Sequence, residues 1–384
     1  MILDKAIQDF ILANLNIKVT DLVLKKPIFD SVSNKDLAEQ IVGRKVAQKK
    51  FPFLTAANII FPPQLNLEQA SSQQTAEFKA AGLSGNTFLD LTCGLGVDAF
   101  FLSQNFKEVH LVEQNPTLCN LVAHNWGVLK RTAHIHQTTI EAFLEANQQK
   151  FDVVFIDPAR RDSNNQKKFL LDDLSPNLLL IQEKLWQITD KVLLKLSPLI
   201  DIKYLLSALA NIEHIAVIAV KNDVKELFVV QNSQNATGNI TCQCVNLDTD
   251  DTEFSFPIEA IDTSKAAFSA PKTFLYIPNN ALLKSGAFNL IAAAFRLEKL
   301  DINTHLYTSD ELKANFPGRI VRVNSISAKN IEKGGKYNLI TKNYPLSVDE
   351  VKKKYKLKEG GSDYLIFTQS IGGKEILIGE VFKA

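Results

Sequence analysis

The sequence predicts an α/β chain. A doubly wound, Rossmann-like core is flanked by an N-terminal helical subdomain and by small C-terminal α+β domains. Three observations carry this. Residues 88–116 read as a buried strand (Phe88, Leu89, Leu91), a loop with Gly94 and Gly96, a helix with Phe100, Phe101 and Leu102 on its apolar side, and a second strand ending on Glu113. Strand and helix patterns then alternate as far as Val230. After about residue 245 the alternation gives way to short strands with few helices.

Residues 1–85 form the helical part. Ile2, Ala6, Phe10 and Ala13 repeat at helical spacing, with Ile7 and Ile11 alongside. Ser33 or Asn34 caps a helix that runs to Lys50 and stops before Pro52. Its cations Arg44, Lys45, Lys49 and Lys50 read as a solvated face. Ser71 and Gln74 have the spacing of a capping box opening a helix over 72–81. Its N-terminus, with Ser71, is a candidate for an anionic cofactor group.

Residues 86–244 form the core. After Glu113, Pro116 opens a helix. A short strand at 133–136, a helix at 140–146 and the strand FDVVFIDPAR follow. A Leu-rich helix leads to a strand at 191–196, and two adjacent strands at 215–220 and 226–230 close the sheet. Residues 245–310 and 311–384 are read as two small domains, the first with ferredoxin-like character. The acidic turn Asp248, Asp250, Asp251 and Glu253 lacks the glycine and closing glutamate of a calcium loop, so it reads as a solvated linker.

The glycine loop admits two cofactor classes. Gly94, Gly96 and Ala99 match G-x-G-x-x-G/A, and Glu113 falls near a ribose-binding position, which leaves a dinucleotide oxidoreductase open. Asp90 decides between the two. A carboxylate at the mouth of the turn repels a diphosphate. S-adenosylmethionine (SAM) presents an ammonium and a sulfonium there instead, and both are attracted to it. Glu113 then accepts from both ribose hydroxyls. Asp157-Pro158-Ala159-Arg160 ends the fourth strand, where open α/β sheets bind ligands. Asp157 and the backbone beside Pro158 are placed to orient a nucleophile toward the SAM methyl. Arg160 and Arg161 either hold a substrate phosphate or pair with Asp162, Asp172 or Asp173. Ser197 stands where ring-attacking methyltransferases need a cysteine, which favours direct transfer to a nitrogen.

Composition narrows the remaining classes. A net charge of +1 excludes a globally basic nucleic-acid coat. The four cysteines show no C-x-x-C spacing, no secretory leader is read at the start, and no apolar run is long enough to span a membrane, so a cytoplasmic protein is expected. The six histidines, His134 and His136 among them, show no metal-binding spacing, and no metal is expected.

Taken together, these residues resemble bacterial class I SAM-dependent methyltransferases with a C-terminal THUMP-like region. The resemblance runs through LNLEQASSQQTAEFKA, DLTCGLGVDAFFLS, VEQNP, FIDPARRD and the tail from GRIVRV to GGSDYLIF. The N-terminal helices and core are similar, more remotely, to trimethylguanosine synthases. The resemblance implies a SAM-binding core with Asp90, Gly94, Gly96, Glu113 and Asp157 on its motifs. It departs at 136–139, where His-Gln-Thr-Thr offers no acid for the adenine amino group. RNA is the implied partner and substrate class, with methylation at a nitrogen. A catalytically silent SAM- or RNA-binding module is the competing reading, against which the intact Asp157-Pro158 argues. From Glu311 onward, 14 Lys and Arg stand against 8 Asp and Glu. Lys352, Lys353, Lys354, Lys356 and Lys358, with Tyr344, Tyr355, Arg319 and Arg322 nearby, suit a phosphate-rich single strand or a solvated helix.

Overall fold

The structure, a computed structural model, describes residues 4–160, 170–235 and 238–383. The chain divides into two compact units. Residues 1–212 and 228–236 form the first, and 213–227 with 237–384 form the second.

The first unit begins with helices α1 (Lys5–Ala13), α2 (Val19–Val23) and α3 (Asn34–Lys50). They bury Ile7, Ile11, Leu22, Leu37 and Ile41 together. In α1 the inward stripe is therefore Ile7 and Ile11, whereas Ala6 and Ala13 of the expected stripe are exposed. Ser33 caps α3 by accepting from Asp36 N, and the helix ends at Lys50 before Pro52 as its punctuation predicts. Its solvated face is only partly real. Arg44 is buried and donates to the carbonyls of Thr55 and Ala56 and to Gln8 Oε1. Lys50 donates to the carbonyls of Leu67 and Glu68. Arg44 ties the loop at Thr55 and Ala56, and Lys50 the last turn of the helix at 64–69, to α3, because backbone carbonyls without a ladder partner need donors.

Helices α4 (Gln64–Gln69) and α5 (Gln73–Ala80) lead to β1 (Gly85–Asp90). The capping box expected at Ser71 and Gln74 is displaced by one residue. Ser72 is the N-cap and accepts from Thr75 N, so Ser71 is released for another contact. Then come α6 (Val97–Leu102), β2 (Phe106–Glu113), α7 (Pro116–Val128), β3 (His134–Gln137), α8 (Ile140–Ala146) and β4 (Val153–Ile156). A two-residue ladder, β5 (Ala159–Arg160) with β6 (Leu174–Ser175), precedes α9 (Leu178–Ile188), β7 (Lys191–Leu196) and α10 (Ile202–Ala208).

The strands of this unit lie in the order β7-β4-β1-β2-β3, all parallel. β1 is paired on both sides, with Asp90 opposite Leu111 of β2 and Phe155 of β4. The chain moves outward from β1 in one direction through β2 and β3, and in the other through β4 and β7. The switch point thus falls at the carboxyl end of β1, where such sheets open a crevice. Phe88, Leu89, Leu111, Val154, Phe155, Ile156 and Leu193 are almost fully buried, as parallel strands covered on both faces require.

In the second unit, β8 (Ile212–Val220) is followed by β9 (Asp223–Asn232), whose last residues count with the first unit. β10 (Thr241–Leu247) pairs parallel with β8 and antiparallel with β11 (Phe254–Pro257). Asp251 is no solvated linker residue. Its carboxylate accepts from Asn246 Nδ2, Asn279 Nδ2 and Gly318 N, which joins three segments of the unit. After α11 (Ala260–Thr263) comes a seven-stranded sheet. Its strands, in chain order, are β12 (Phe274–Pro278), β13 (Glu298–Asp301), β14 (Thr304–Ser309), β15 (Gly318–Ser325), β16 (Lys336–Thr341), β17 (Lys358–Ser370) and β18 (Gly373–Lys383). They lie in the order β13-β14-β12-β15-β18-β17-β16. Helices α12 (Asn280–Ser285) and α13 (Phe288–Phe295) follow β12, and α14 (Val348–Tyr355) crosses between the parallel strands β16 and β17. Ser347 and Glu350 form a full capping box at α14. Tyr344 and Tyr355 pack on Phe367, with ring centroids 5.4 and 5.6 Å away. They belong to the local core and are not free stacking platforms.

Candidate active site

Three strand ends converge on the crevice. Asp90 closes β1, Glu113 closes β2, and Asp157 follows β4. Thr92 locks two of them. Its N–H and hydroxyl donate to Asp90 Oδ1 at 2.8 and 3.3 Å, and its Oγ1 accepts from Asp157 N at 2.7 Å. Asp90 is 1% exposed. Burial pushes its carboxyl up to about 8, despite the backbone hydrogen bond from Thr92, and the nearby carboxylates Asp98 and Asp157 add to the rise. At neutral pH its protonated form is favoured.

The two glycines do different work. Gly94 has φ +53°, a Cβ there would meet only the Thr92 carbonyl oxygen at 3.9 Å, and its N–H donates to Glu113 Oε2 at 3.0 Å. Gly96 has φ +66°, but a Cβ there would lie 2.9 Å from Trp126 Nε1. Its missing side chain lets α6 settle against α7, a packing role the spacing alone did not separate from ligand approach. Glu113 Oε1 also accepts from Asn115 N at 2.8 Å. Both oxygens keep a further lone pair for hydroxyl donors.

Asp157 is bound to a residue that sequence reasoning missed. Lys195 Nζ lies 2.5 Å from Asp157 Oδ2 and 3.5 Å from Asp98 Oδ2. Lys79 Nζ lies 2.8 Å from Asp98 Oδ1. Ser71, expected at the cofactor, donates its hydroxyl to Asp98 Oδ2 at 2.7 Å and accepts from Lys79 at 3.1 Å and Lys195 at 3.0 Å. Burial disfavours the charge of Asp98, but the two lysines outweigh that and hold its carboxyl below the usual range. Burial raises Asp157, against the pull of Lys195. Two carboxylates and two ammoniums thus balance in a largely buried cluster, with the Asp157 side chain its most exposed member at 33%.

A cavity of about 110 Å3 adjoins Pro158. Leu170, Leu174, Leu196 and Ile200 wall it, with Asp173 and Ser197 as its polar members. The backbone of Arg160 lies in β5, and nothing of its side chain is described. Arg161 lies outside the described residues.

Comparison with known proteins agrees with this architecture. The family described as Conserved hypothetical protein 95 matches residues 70–192, a ferredoxin-like domain matches 274–317, and a THUMP domain-like family matches 319–380. The chain is similar over 99% of its length to a protein from Porphyromonas gingivalis W83 provisionally described as a methyltransferase. The match has 26% identity, a TM-score of 0.85, and 98% coverage of that chain. A TrmK from M. capricolum, solved with S-adenosyl-homocysteine, matches 42% of this chain and 68% of its own at 14% identity and a TM-score of 0.33, too slight a likeness to carry an argument. A comparison with curated proteins gave no match. The match to the P. gingivalis protein over nearly the whole of both chains, with the Conserved hypothetical protein 95 match, supports a SAM-dependent methyltransferase. The chain is a methyltransferase that carries a ferredoxin-like and a THUMP-like domain in its C-terminal part. Among the described residues no helix is long and apolar enough to cross a membrane.

Proposed function

We propose that this enzyme transfers the SAM methyl group to a nitrogen of RNA by direct in-line displacement, in the cytoplasm. The observation that carries the reading is the convergence of Asp90, Glu113 and Asp157 on one crevice, with Thr92 fixing the first and last. Asp90 receives the cofactor ammonium, Gly94 leaves room for its backbone approach, and Glu113 accepts from the ribose hydroxyls. SAM supplies an already activated methyl, so the protein's task is orientation. Asp157, paired with the Lys195 ammonium, accepts a hydrogen bond from the substrate N–H and aims its lone pair. Pro158 fixes the backbone beside it. The apolar cavity next to Pro158 suits a flat heterocycle whose polar edge faces Asp157. The working division of the chain is 1–85 helical, 86–244 catalytic, 245–310 ferredoxin-like and 311–384 THUMP-like. Arg160 and Arg161 remain the proposed phosphate contacts.

Asp90→Ala should weaken SAM binding by about 1.5–3 kcal/mol, roughly ten- to a hundredfold. The pH dependence has a definite sign. The free protein holds a proton on Asp90 below about 8, and that proton must leave when the cation binds. SAM affinity measured by calorimetry therefore rises from about pH 6 to about pH 8, above which the cofactor's own amino group loses its proton, and Asp90→Asn flattens the rise. A wild-type affinity that is flat over this range would remove Asp90 from the site.

RNA as the substrate class rests on the THUMP-like match and the basic surplus after residue 311. In α14, Lys352 pairs with Glu359, while the Lys354 ammonium lies 5.3 Å from the Tyr355 ring centre. Charge reversal at Lys352, Lys353 and Lys354 should lower RNA affinity about tenfold or more at low salt and reduce the salt slope, with SAM affinity unchanged. Gel-shift titration at two salt concentrations reads this out. RNA binding indifferent to both would detach RNA from this unit.

A further inference from the structure

The first unit holds a second cluster of chemistry-bearing side chains, away from the carboxyl edge. His110 on β2 and His134 on β3 are direct cross-strand partners. Glu108 lies two residues before His110, on the same face of β2 by the alternation of a strand. The register thus brings together three groups that are unremarkable in sequence. His110 Nε2 is 2.8 Å from Glu108 Oε1, and His134 Nε2 is 3.7 Å from the same oxygen. All three ligand atoms lie within 4.8 Å of one another.

We propose that Glu108, His110 and His134 form a binding site for a late first-row divalent cation such as Zn2+. Two imidazoles and one carboxylate make a borderline N/O donor set of the kind zinc accepts, with a fourth position left to water. Ligand atoms of a tetrahedral zinc site stand about 3.3 Å apart, given bonds of about 2.0–2.1 Å. The two separations from Glu108 straddle that value and the third is at most 4.8 Å, so closure needs side-chain adjustments of about 1.5 Å or less. The outer sphere is also in place. His136 Nε2 is 3.0 Å from His110 Nδ1, and the two rings are stacked at 8°. A metal-bound histidine donates its other N–H to a neighbour that fixes the ring. Phe143 packs on His136 and Phe151 on His110, which restricts both rings. Without metal, the contact with Glu108 puts the His110 proton on Nε2. Ligation moves it to Nδ1, where it is donated to His136 Nε2, the His136 proton shifts to its own Nδ1, and the His110 Nε2 lone pair goes to the cation. The ion then pins the edge strand β3 to β2.

The test uses the full chain, stripped of metal and titrated with Zn2+ by calorimetry and with Co2+ by absorption. One equivalent is expected to bind, with a cobalt spectrum free of thiolate charge transfer, and saturating Zn2+ raises the melting temperature. His134→Ala, at a side chain 65% exposed, and Glu108→Gln each lower the affinity at least about tenfold. His136→Phe, which keeps the packing, lowers it about ten- to a hundredfold. Absence of stoichiometric binding overturns the proposal, as does affinity unchanged in His134→Ala and Glu108→Gln. A thiolate band overturns it too, because it places the metal on a cysteine.

Discussion

Replacing Asp157 with alanine leaves SAM affinity within about twofold and lowers methyl transfer by something on the order of a hundredfold. The separation follows from position. Asp157 lies beyond the end of β4, next to the apolar cavity at Pro158, whereas the cofactor contacts gather at the ends of β1 and β2. Its carboxylate orients the nucleophile and receives a hydrogen bond that strengthens as the nitrogen gains positive charge. Truncation removes that acceptor and leaves the Lys195 ammonium, still held by Asp98 and Ser71, next to the nucleophile, where it opposes the developing charge. Asp157→Asn keeps an acceptor but not the charge and falls between the two. Calorimetry for SAM beside single-turnover transfer separates the effects. Unchanged turnover reduces Asp157 to a strand terminator.

The second large effect concerns stability. Asp98→Ala should destabilise the fold by about 3–5 kcal/mol, a sizeable part of the whole stability of a domain. Lys79, whose side chain is 0% exposed, and Lys195 would then face each other without the carboxylate that bridges them. Replacing Lys79 by methionine in the same chain restores part of the loss, because removing a buried charge together with its partner costs less than removing either alone. The Asp98 carboxyl is shifted in the opposite direction to that of Asp90. The folded-state carboxyl of Asp98 is held below its unfolded value, so its contribution is present above about pH 4 and fades as pH falls through the folded value. The deficit of Asp98→Ala therefore shrinks in acid. Denaturant unfolding at neutral pH and near pH 3 measures both, and a variant within about 1 kcal/mol of wild type would show the cluster to be dispensable.

How much of this was legible in the sequence depended on the range of the interactions. Asp90, Glu113 and Asp157 could be read because each sits beside local punctuation: a glycine loop, an Asn-Pro helix start, an Asp-Pro strand end. The parallel core followed from apolar runs too continuous for one-sided strands. Lys79, Asp98 and Lys195 could not be paired, since Lys195 meets Asp98 across 97 residues. A signal was nevertheless present. Lys195 is a lone cation within the apolar strand VLLKL, and a charge in a strand buried on both faces needs a partner. Arg44 and Lys50 misled for a related reason. Helical spacing assigns them to a polar face, but the loop and helix-end carbonyls they hold are not visible in a periodic pattern. The histidine cluster was hidden by strand register, which spacing along one strand does not contain.

The central claim is methyl transfer from SAM to RNA at Asp157. It is tested most directly by incubating the full chain with methyl-tritiated SAM and the separated RNA and protein fractions of a strain lacking the gene. The account predicts label in RNA with the wild-type enzyme, retained at a nitrogen after digestion to nucleosides and nearly abolished by Asp157→Ala. Label confined to protein, label in neither fraction, or RNA labelling undiminished in Asp157→Ala would contradict it.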